Sequence, residues 1–280
     1  MEQGSKEWLE WRKSGIGASE SSQILERNPY GTRLDLWLTK TGREPEKGLD
    51  FLMDSKGKVT ETALRNRYSL HTGRNYQPAC AFHDKHKFML ASLDGWDMAS
   101  GKGIEVKLIG KEKFDAAGDD PETINFMMDH HRIQVQHQMF VMEAPEWEYL
   151  IACLDDPHGT YKVFKIKADY VMQSELFKAC KKFWKYVTTD KQPPYGPDDY
   201  RPIKDKTTLK LIDFFKIAKA KDQKPEVERL KLLIRARLKY PKMKALGVKI
   251  SPSGFRLEKV GQGQLPAVTA SQDTEKEAIH

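Results

Sequence analysis

Hydrophobic and polar positions repeat with two different periods along the chain. In a first block of residues, roughly from 5 to 75, they repeat with the period of a helix. A helix is predicted from 19 to 27, directly after the turn-forming Gly15-Ile16-Gly17, and another from 57 to 70. In the second helix the apolar residues recur every three or four positions, at Val59, Ala63, Leu64 and Tyr68. Residues at that spacing share one helix face, so these four are expected to face a core.

Between about 76 and 190 the pattern changes to strands followed by helices. Neighbouring strands are predicted at 81 to 93 and at 104 to 108, joined by a turn-rich run from 99 to 103. The later elements of this block are predicted as a helix at 132 to 142, strands at 148 to 154 and 162 to 166, and a helix at 170 to 187. This order predicts an α/β fold in which helices flank a central mixed sheet.

A proline-rich linker from 192 to 197 precedes a third block. Two helices are predicted there, at 207 to 222 and after Pro225, followed by a short hairpin around 247 to 260. The second helix places its apolar residues on one side, at Leu230, Leu233, Ile234 and Leu238. We therefore divide the chain into a domain of residues 1 to 195, a basic helical C-terminal extension of residues 196 to 262, and a tail of residues 263 to 280 that is expected to be disordered.

Composition narrows the class of protein. With 280 residues, 39% of them hydrophobic, the chain can bury a sizeable core. No apolar run reaches membrane-spanning length, and the charged first residues lack the apolar stretch of a signal peptide, so we expect a cytoplasmic protein with no membrane partner. The chain has three cysteines, Cys80, Cys153 and Cys180. Their odd number and wide spacing argue against a disulfide framework and against a zinc site.

The positive charge is concentrated near the C-terminus. The net charge is +7, but residues 201 to 280 hold 19 Lys and Arg against 9 Asp and Glu, whereas residues 1 to 200 hold 28 against 31. A basic extension attracts phosphate backbones, although a lysine-rich helix is also an ordinary solvated face. Charge alone does not decide between these two interpretations.

The candidate chemistry lies on the two predicted neighbouring strands. Side chains alternate along a strand, so Glu105 and Lys107 share one face and the apolar Ile104 and Val106 share the other. The turn between the strands brings Asp94 beside Glu105. Two carboxylates at that separation repel unless a cation lies between them, and their oxygens suit Mg²⁺ or Mn²⁺. An ammonium beside such a site can stabilise charge on a phosphorane or help to activate water.

An exposed strand with Glu and Lys two apart is also an ordinary ion-pair pattern, so the neighbouring residues decide the interpretation. Glu61 lies on a predicted helix upstream, and Gln134 lies in a predicted helix downstream. Three histidines lie near Gln134, namely His130, His131 and His137. They are not spaced as in a zinc-binding motif, so each is expected to be packed against neighbours or exposed. Trp8 and Trp11 are expected to pack the core, with stacking on an unpaired base as the alternative.

Acid on a helix, then Asp, then Glu-x-Lys, then Gln is the arrangement of the PD-(D/E)XK nuclease superfamily. Within it, the chain resembles the lambda-exonuclease or YqaJ-type viral recombinase nucleases over roughly residues 8 to 190. Two departures are Leu93, where the superfamily name expects proline, and the Leu108-Ile109 that follows Lys107. The segments that carry the resemblance are Trp8 to Arg12, Gly17 to Glu20, Asn28 to Tyr30, Gly57 to Glu61, Ala63 to Arg65, Thr72-Gly73, Ser92 to Gly95, Glu105 to Lys107 and Gln134 to Met139.

The resemblance implies roles for individual residues. Asp94, Glu105 and the carbonyl of Val106 would bind Mg²⁺, with Mn²⁺ able to substitute, and Glu61 would complete the acidic cluster. Lys107 and Gln134 would serve the attacking water. A 5′-phosphate pocket would be formed by Arg12, Ser19, Ser92 and Lys113. Ser19 also follows a glycine turn at a predicted helix N-terminus, which favours an anion, although it is equally an ordinary N-cap and Arg12 an ordinary surface charge.

The resemblance further implies a Mg²⁺-dependent exonuclease that digests double-stranded DNA from 5′ to 3′ and leaves a 3′ strand for annealing-type recombination. Family members form ring-shaped homotrimers around DNA and work with a single-strand annealing protein of the same phage or prophage system, in the host cytoplasm. Two alternatives stay open. One is a restriction-type endonuclease with the same residues, and the other is a non-catalytic DNA-binding protein that needs only the basic C-terminal region.

Overall fold

The computed structural model describes residues 1–44, 51–120, 122, 127–153, 160–240 and 242–257, with side chains of the helix that begins at residue 51 described from residue 60 onward. The chain forms two compact units, Met1–Gly196 and Pro197–His280. The division falls one residue after the boundary expected from the sequence. In the described ranges, no helix is long and apolar enough to cross a bilayer.

Short helices open the first unit. Ser5 caps the first one by accepting a hydrogen bond from the Trp8 amide, and Thr32 caps a later one in a reciprocal pair with Asp35. The elements are α1 (Lys6–Lys13), β1 (Ile16–Gly17), a 3-10 helix (Ala18–Glu20), α2 (Ser21–Ile24), α3 (Arg33–Lys40) and α4 (Phe51–Thr72). The helix predicted from 19 to 27 is therefore wrong in part, because α2 has a single turn and the chain turns away at Glu26, whose φ is 58°.

A mixed sheet forms the centre of the first unit. Its strands run in the order β1-β3-β4-β5-β6, and β2 pairs with β3 as well. β1 with β3 and β4 with β5 are parallel, and the remaining pairs are antiparallel. The elements are β2 (Gln77–Phe82), β3 (Met89–Asp97), β4 (Lys102–Ile109), α5 (Lys111–Ala116), α6 (Asp129–Met142), β5 (Glu146–Cys153), β6 (Tyr161–Lys167) and α7 (Tyr170–Thr188). The predicted α/β class with a central mixed sheet flanked by helices is confirmed.

The strand predicted from 81 to 93 is two antiparallel strands, β2 and β3. The backbone amide of His83 donates to the carbonyl of Met89, and the amide of Met89 donates to the carbonyl of His86, which closes the turn between them. β3 then continues past Asp94 to Asp97. The prediction was wrong here because apolar residues on both sides of this polar turn preserve the appearance of one continuous strand.

Each face of the sheet packs against helices. On one face, Ile133, Val135 and Met139 of α6 are buried with strand residues such as Leu93. On the other face, α4 buries Leu64 and Tyr68 against a group from the strands, Tyr76, Ile104, Val106, Leu150 and Ala152. Ala63 is exposed, contrary to expectation, because it precedes Leu64 and so points to a different side of α4. Val59 lies outside the described side chains.

The second unit has its own core and its own sheet. Its elements are β7 (Arg201–Pro202), α8 (Lys206–Ala220), α9 (Lys224–Arg235), β8 (Met243–Ala245), β9 (Val248–Ser251) and β10 (Gly254–Leu257), with sheet order β10-β9-β8-β7. The two helices and the hairpin were predicted, but the four-stranded sheet makes this unit mixed rather than only helical. Ile234 and Leu230 are buried, while Leu233 is 39% exposed, which corrects its assignment to the apolar side. The expected tail from 263 lies outside the described residues.

Candidate active site

The hairpin of β3 and β4 brings the two predicted carboxylates together. The strands are antiparallel, with Gly95 opposite Ile104, and they are joined by a turn in which Gly101 adopts a positive φ of 64° that favours glycine. The backbone amide of Val106 donates a 2.8 Å hydrogen bond to Oδ2 of Asp94. Asp94 is thus fixed next to Glu105 by the register of the hairpin itself.

Alternation along β4 separates polar from apolar side chains as the sequence predicts. Ile104 and Val106 pack in the core beneath α4, while Nζ of Lys107 lies 2.5 Å from Oε1 of Glu105. Glu105 is only 1% exposed, so its charge depends on the groups that surround it. The ion pair therefore joins a buried carboxylate to a partly buried ammonium, unlike the exposed surface pattern that the sequence also allowed.

Two glutamines of α6 complete the surroundings of Glu105. Nε2 of Gln134 donates to Oε1 of Glu105 at 2.6 Å, and Nε2 of Gln138 donates to Oε2 at 2.6 Å and to the carbonyl of Ser92 at 3.3 Å. Gln138 was not predicted as a site residue. Its spacing of four residues from Gln134 was the available signal, because a helix presents both positions on one face.

Glu61 approaches the same carboxylates from α4. Its Oε1 lies 3.6 Å from Nη1 of Arg65, and that nitrogen also donates to the backbone carbonyl of Asp94 at 3.0 Å. Arg65 is buried and was not predicted from the sequence. The four-residue spacing between Glu61 and Arg65 on a helix was again the signal.

Burial and mutual charge shift the protonation of these groups. Burial first, and then the charges of Glu105 and Glu61, raise the pKa of Asp94 well above its usual range. Burial opposes the ammonium of Lys107, but the negative charges of Glu105 and Asp94 outweigh it and raise the pKa of Lys107. The negative charges around Asp94 thus disfavour its ionisation and favour a positive charge beside it.

This donor set fits a hard divalent cation. Asp94 and Glu105 supply carboxylate oxygens. Burial and then the neighbouring carboxylates raise the pKa of Asp94, and a bound cation would favour its charged form. In the part of the chain that the structure describes, no three His, Cys, Asp or Glu side chains converge closely enough to hold a metal ion by themselves. One or two carboxylates, a backbone carbonyl and waters are what Mg²⁺ commonly uses, so the pair is compatible with that ion.

Arg12 and Ser92, both predicted to bind a 5′-phosphate, are linked through Trp8. Nη2 of Arg12 donates to Oε1 of Glu20 at 2.7 Å and its guanidinium lies 4.6 Å from the centroid of the Trp8 ring. Nε1 of Trp8 donates to Oγ of Ser92 at 2.8 Å. Burial opposes the charge of Glu20, but Lys40 and then Arg12 outweigh it and lower the pKa of Glu20. Arg12 is thus a partly buried side chain, 17% exposed, that is paired with the buried Glu20.

Ser19 and Lys113 are exposed side chains. Ser19 is the second residue of the 3-10 helix and so lies at a helix N-terminus, but the N-cap is Gly17 and not Ser19. Ile16 and Gly17 of the predicted glycine turn form the short strand β1, and the 3-10 helix starts two residues too early for Ser19 to cap it. Nζ of Lys113, on α5, lies 3.8 Å from Sδ of Met128.

The histidines of α6 have packing partners, as expected. Nδ1 of His131 lies 2.8 Å from the hydroxyl of Tyr149, and Nδ1 of His137 lies 2.5 Å from Oγ of Ser21. Burial lowers the pKa of His131 to about 3 and that of His137 to about 4. Both side chains are neutral parts of the packing around the site.

Comparison with known proteins identifies relatives of this arrangement. The family model described as the YqaJ-like viral recombinase domain matches residues 7–145. The uncharacterized protein YqaJ of Bacillus subtilis (strain 168) is 26% identical over 197 residues, which are 69% of this chain and 59% of that protein. An uncharacterized protein of Acanthamoeba polyphaga mimivirus is 27% identical over 178 residues, which are 59% of this chain and 31% of that protein. The chain therefore spans less than two thirds of the length of these curated relatives.

A solved structure shares the fold. The alkaline exonuclease LHK-Exo from Laribacter hongkongensis superposes with a TM-score of 0.54 at 18% identity, covering 66% of this chain and 94% of that one. At this identity the likeness concerns the fold alone. Together with the family match, it confirms the resemblance carried by the sequence motifs. Residues 7–145, just under half of the chain, match the YqaJ-like viral recombinase domain family.

Proposed function

We propose that the chain is a Mg²⁺-dependent deoxyribonuclease that digests double-stranded DNA from an end, in the 5′ to 3′ direction, and leaves a 3′ strand for annealing-type recombination. The observation that carries the proposal is the group formed by the buried Glu105 and the partly buried Asp94 and Lys107, with Gln134 bonded to Glu105. The family description as a recombinase domain and the exonuclease named among the structural neighbours support it.

The metal would be held by Asp94, Glu105 and the carbonyl of Val106, and it would supply a lowered pKa for bound water and polarisation of the phosphoryl group. Lys107, kept positively charged by its carboxylate neighbours, donates toward the phosphate oxygen on which charge develops. Gln134 orients the attacking water through its amide. Glu61 adds negative charge to the acidic cluster from α4.

A 5′-phosphate subsite is proposed at Arg12, with Ser92 beside it and Ser19 and Lys113 as further contributors. In the structure the carboxylate of Glu20 is paired with the guanidinium of Arg12. A terminal phosphate would therefore displace that carboxylate or bind to the same guanidinium beside it. Charge-assisted hydrogen bonds of this kind change rates about ten- to a hundredfold when expressed in the transition state. Arg12→Ala should therefore remove most of the preference for a 5′-phosphorylated over a 5′-hydroxyl duplex, and an undiminished preference would exclude Arg12 from the subsite.

The assembly proposed with this function is a homotrimeric ring that threads DNA ends, working with a single-strand annealing protein of the same phage or prophage system in the host cytoplasm. Its support is the resemblance to the family. Mass determination in solution tests the trimer, and co-purification with a candidate single-strand annealing protein tests the partner.

The direct test of the activity uses linear duplex DNA labelled at either the 5′ or the 3′ end, with and without Mg²⁺. Release of the 5′ label first, only with Mg²⁺, supports the proposal, whereas release of the 3′ label first contradicts its polarity. Closed circular plasmid distinguishes an end-dependent exonuclease from an endonuclease. A restriction-type endonuclease built on the same residues cuts the circle, while an end-dependent enzyme leaves it intact.

A further inference from the structure

A groove lined by aromatic rings and lysines lies on the first unit, apart from the carboxylates of the candidate active site. It has a volume of about 780 Å³ and is formed by the end of α1, the turn between β2 and β3, and α7. We propose that this groove binds an unpaired DNA strand. The choice of DNA as the ligand rests on the proposed function. The groove itself does not, because Asp94, Glu105 and Lys107 are not among the residues that line it.

The aromatic rings provide flat, partly exposed faces. Phe88 and Trp184 are stacked, with 6.2 Å between their centroids and 8° between their planes. Trp11 joins them from α1, and Phe82, 48% exposed, joins them from the end of β2. Bases of an unpaired strand stack on such rings whatever the sequence, whereas bases in a duplex already stack on one another. The lining therefore favours an unpaired strand over a duplex.

Ammonium groups surround these rings. Lys85 and Lys87 are exposed in the turn between β2 and β3, and Nζ of Lys87 lies 4.2 Å from the centroid of the Phe82 ring and 3.8 Å from Oδ1 of Asp84. Lys181, also exposed, precedes Trp184 by three residues on α7 and so lies on the same helix face. This charge would suit an acidic peptide as well, but such a ligand has no planar rings to match the aromatic lining.

A second groove, of about 370 Å³, adjoins the first. The two grooves share Lys85 and His86. The ring of His86 lies 4.3 Å from that of Phe177, centroid to centroid, and Phe140 lines the same groove. Adjoining stacking faces and cations are the features with which proteins hold several nucleotides of a single strand.

The walls of the groove are fixed by backbone contacts. The amide of Ile16 donates to the carbonyl oxygen of Phe88 at 2.7 Å. A Cβ atom on Gly15 would lie 2.4 Å from that same oxygen, so the chain leaving α1 reaches the turn this closely only because residue 15 is glycine. A preformed groove lowers the entropy cost of ordering side chains when a ligand binds.

The position of the groove fits the product of the proposed reaction. Phe88 precedes Asp94 by six residues, which is about 20 Å along an extended strand. An enzyme that digests one strand of a duplex leaves the complementary strand unpaired. A groove at this distance would hold that strand close to the site without placing it on the carboxylates.

The test measures binding of fluorescein-labelled oligo(dT) and of a blunt duplex of equal length to the full chain, by anisotropy in EDTA so that no hydrolysis occurs. Phe82→Ala, and separately Lys85→Glu combined with Lys87→Glu, should weaken oligo(dT) binding about tenfold. Duplex binding should change no more than in the control variants. All three positions are exposed, and circular dichroism checks that the variants fold.

Matched controls lie elsewhere on the chain. Lys165→Glu combined with Lys167→Glu makes the same charge change on two exposed lysines of β6, and Phe214→Ala removes a ring that is 57% exposed on α8. Both should leave oligo(dT) binding as it is. Trp184→Phe should keep the affinity, since it keeps a stacking ring, and should lose part of the tryptophan quenching that oligo(dT) causes.

Three results would overturn the inference: unchanged oligo(dT) affinity in both groove variants, equal loss of oligo(dT) and duplex affinity, or displacement of oligo(dT) by polyglutamate at equal charge, which would assign the groove to acidic peptides. Because the measurement needs neither metal nor hydrolysis, it stays interpretable if the chain proves not to be a nuclease. Failure of the groove would likewise leave the nuclease proposal standing.

Discussion

At the scale of single residues, Glu105 depends on three donors around one buried carboxylate. Lys107 and Gln134 contact Oε1, and Gln138 contacts Oε2 while also bonding the carbonyl of Ser92 on the neighbouring strand. Gln138 therefore acts through Glu105 as a positioning residue. Groups that orient metal ligands in this way typically change metal affinity by about ten- to a hundredfold when they are removed.

Gln138→Ala should lower the affinity for Mn²⁺ at least about tenfold, because Glu105 loses the donor that fixes its second oxygen. Titration calorimetry of the metal measures this without any turnover. The control is Gln136→Ala, which removes an equally buried glutamine of α6 that bonds instead to the carbonyl of Lys167. If the two variants bind Mn²⁺ equally well, Gln138 has only a structural role.

The sequence predicted the residues whose positions follow from local periods. Glu105 and Lys107 share a face because a strand alternates, and Asp94 lies beside them because the turn after β3 is short. Gln134, whose contact with Glu105 spans 29 positions, was predicted from the family resemblance, whereas Gln138 and Arg65, with contacts that span 33 and 29 positions, were assigned no role by it. The pairing of Arg12 with Glu20 was also missed, since the 3-10 helix that places Glu20 has no strong local signal.

At the scale of elements, α6 is attached to the N-terminal helices by a buried histidine. His137 contacts Ser21 of α2, and burial holds its pKa near 4, below the ordinary value of 6.5. The unfolded chain therefore binds a proton between pH 6.5 and 4 that the folded chain does not bind. The stabilisation is complete above pH 6.5 and is lost as the pH falls toward 4.

His137 should account for about 3 kcal/mol of the fall in unfolding free energy between pH 6.5 and 4, given about 1.4 kcal/mol for each unit of pKa shift. Urea unfolding across this range measures the slope. His137→Gln should be less stable at pH 7 and should show a shallower slope below pH 6.5, whereas the exposed His71→Gln should keep the slope. An identical slope in His137→Gln would show that the imidazole is protonated in the folded state.

Elements also show where the hydrophobic pattern was insufficient. The turn between β2 and β3 was hidden because apolar positions flank it on both sides, so the pattern favoured one long strand. The sheet of the second unit was only half predicted, since β7 and β8 have two and three residues and leave almost no alternation to detect. In contrast, α7 and α8 were predicted to within two residues at each end, and the predicted start of α9 agrees with the structure.

At the scale of the whole molecule, the division of the chain separates the candidate active site from most of the net positive charge. The first unit ends at Gly196 and has its own core, and residues 201 to 280 hold 19 Lys and Arg against 9 Asp and Glu. Cations that neutralise phosphates make binding weaken with salt in proportion to their number. If the second unit supplies such contacts, it raises the affinity for DNA and takes no part in the hydrolysis.

A chain truncated after Gly196 should therefore fold, keep Mg²⁺-dependent hydrolysis and bind duplex DNA more weakly, with a smaller dependence of log affinity on log salt than the full chain has. Anisotropy titrations over a range of salt concentrations provide that slope. An unchanged slope would remove the basic unit from DNA binding. A fragment that fails to fold would show that the second unit stabilises the first.

If Asp94, Glu105 and Lys107 carry metal-dependent hydrolysis, the rate of nucleotide release from a linear 5′-phosphorylated duplex in Mg²⁺ depends on all three. Asp94→Asn and Glu105→Gln each remove a ligand charge at nearly constant volume, so both should lose hydrolysis while circular dichroism and duplex binding in EDTA stay close to those of the unmodified chain. Lys107→Ala should still bind Mn²⁺ and lose most turnover, because its charge is needed more in the transition state than in the ground state. Robust, Mg²⁺-dependent release by folded Asp94→Asn or Glu105→Gln would contradict the account.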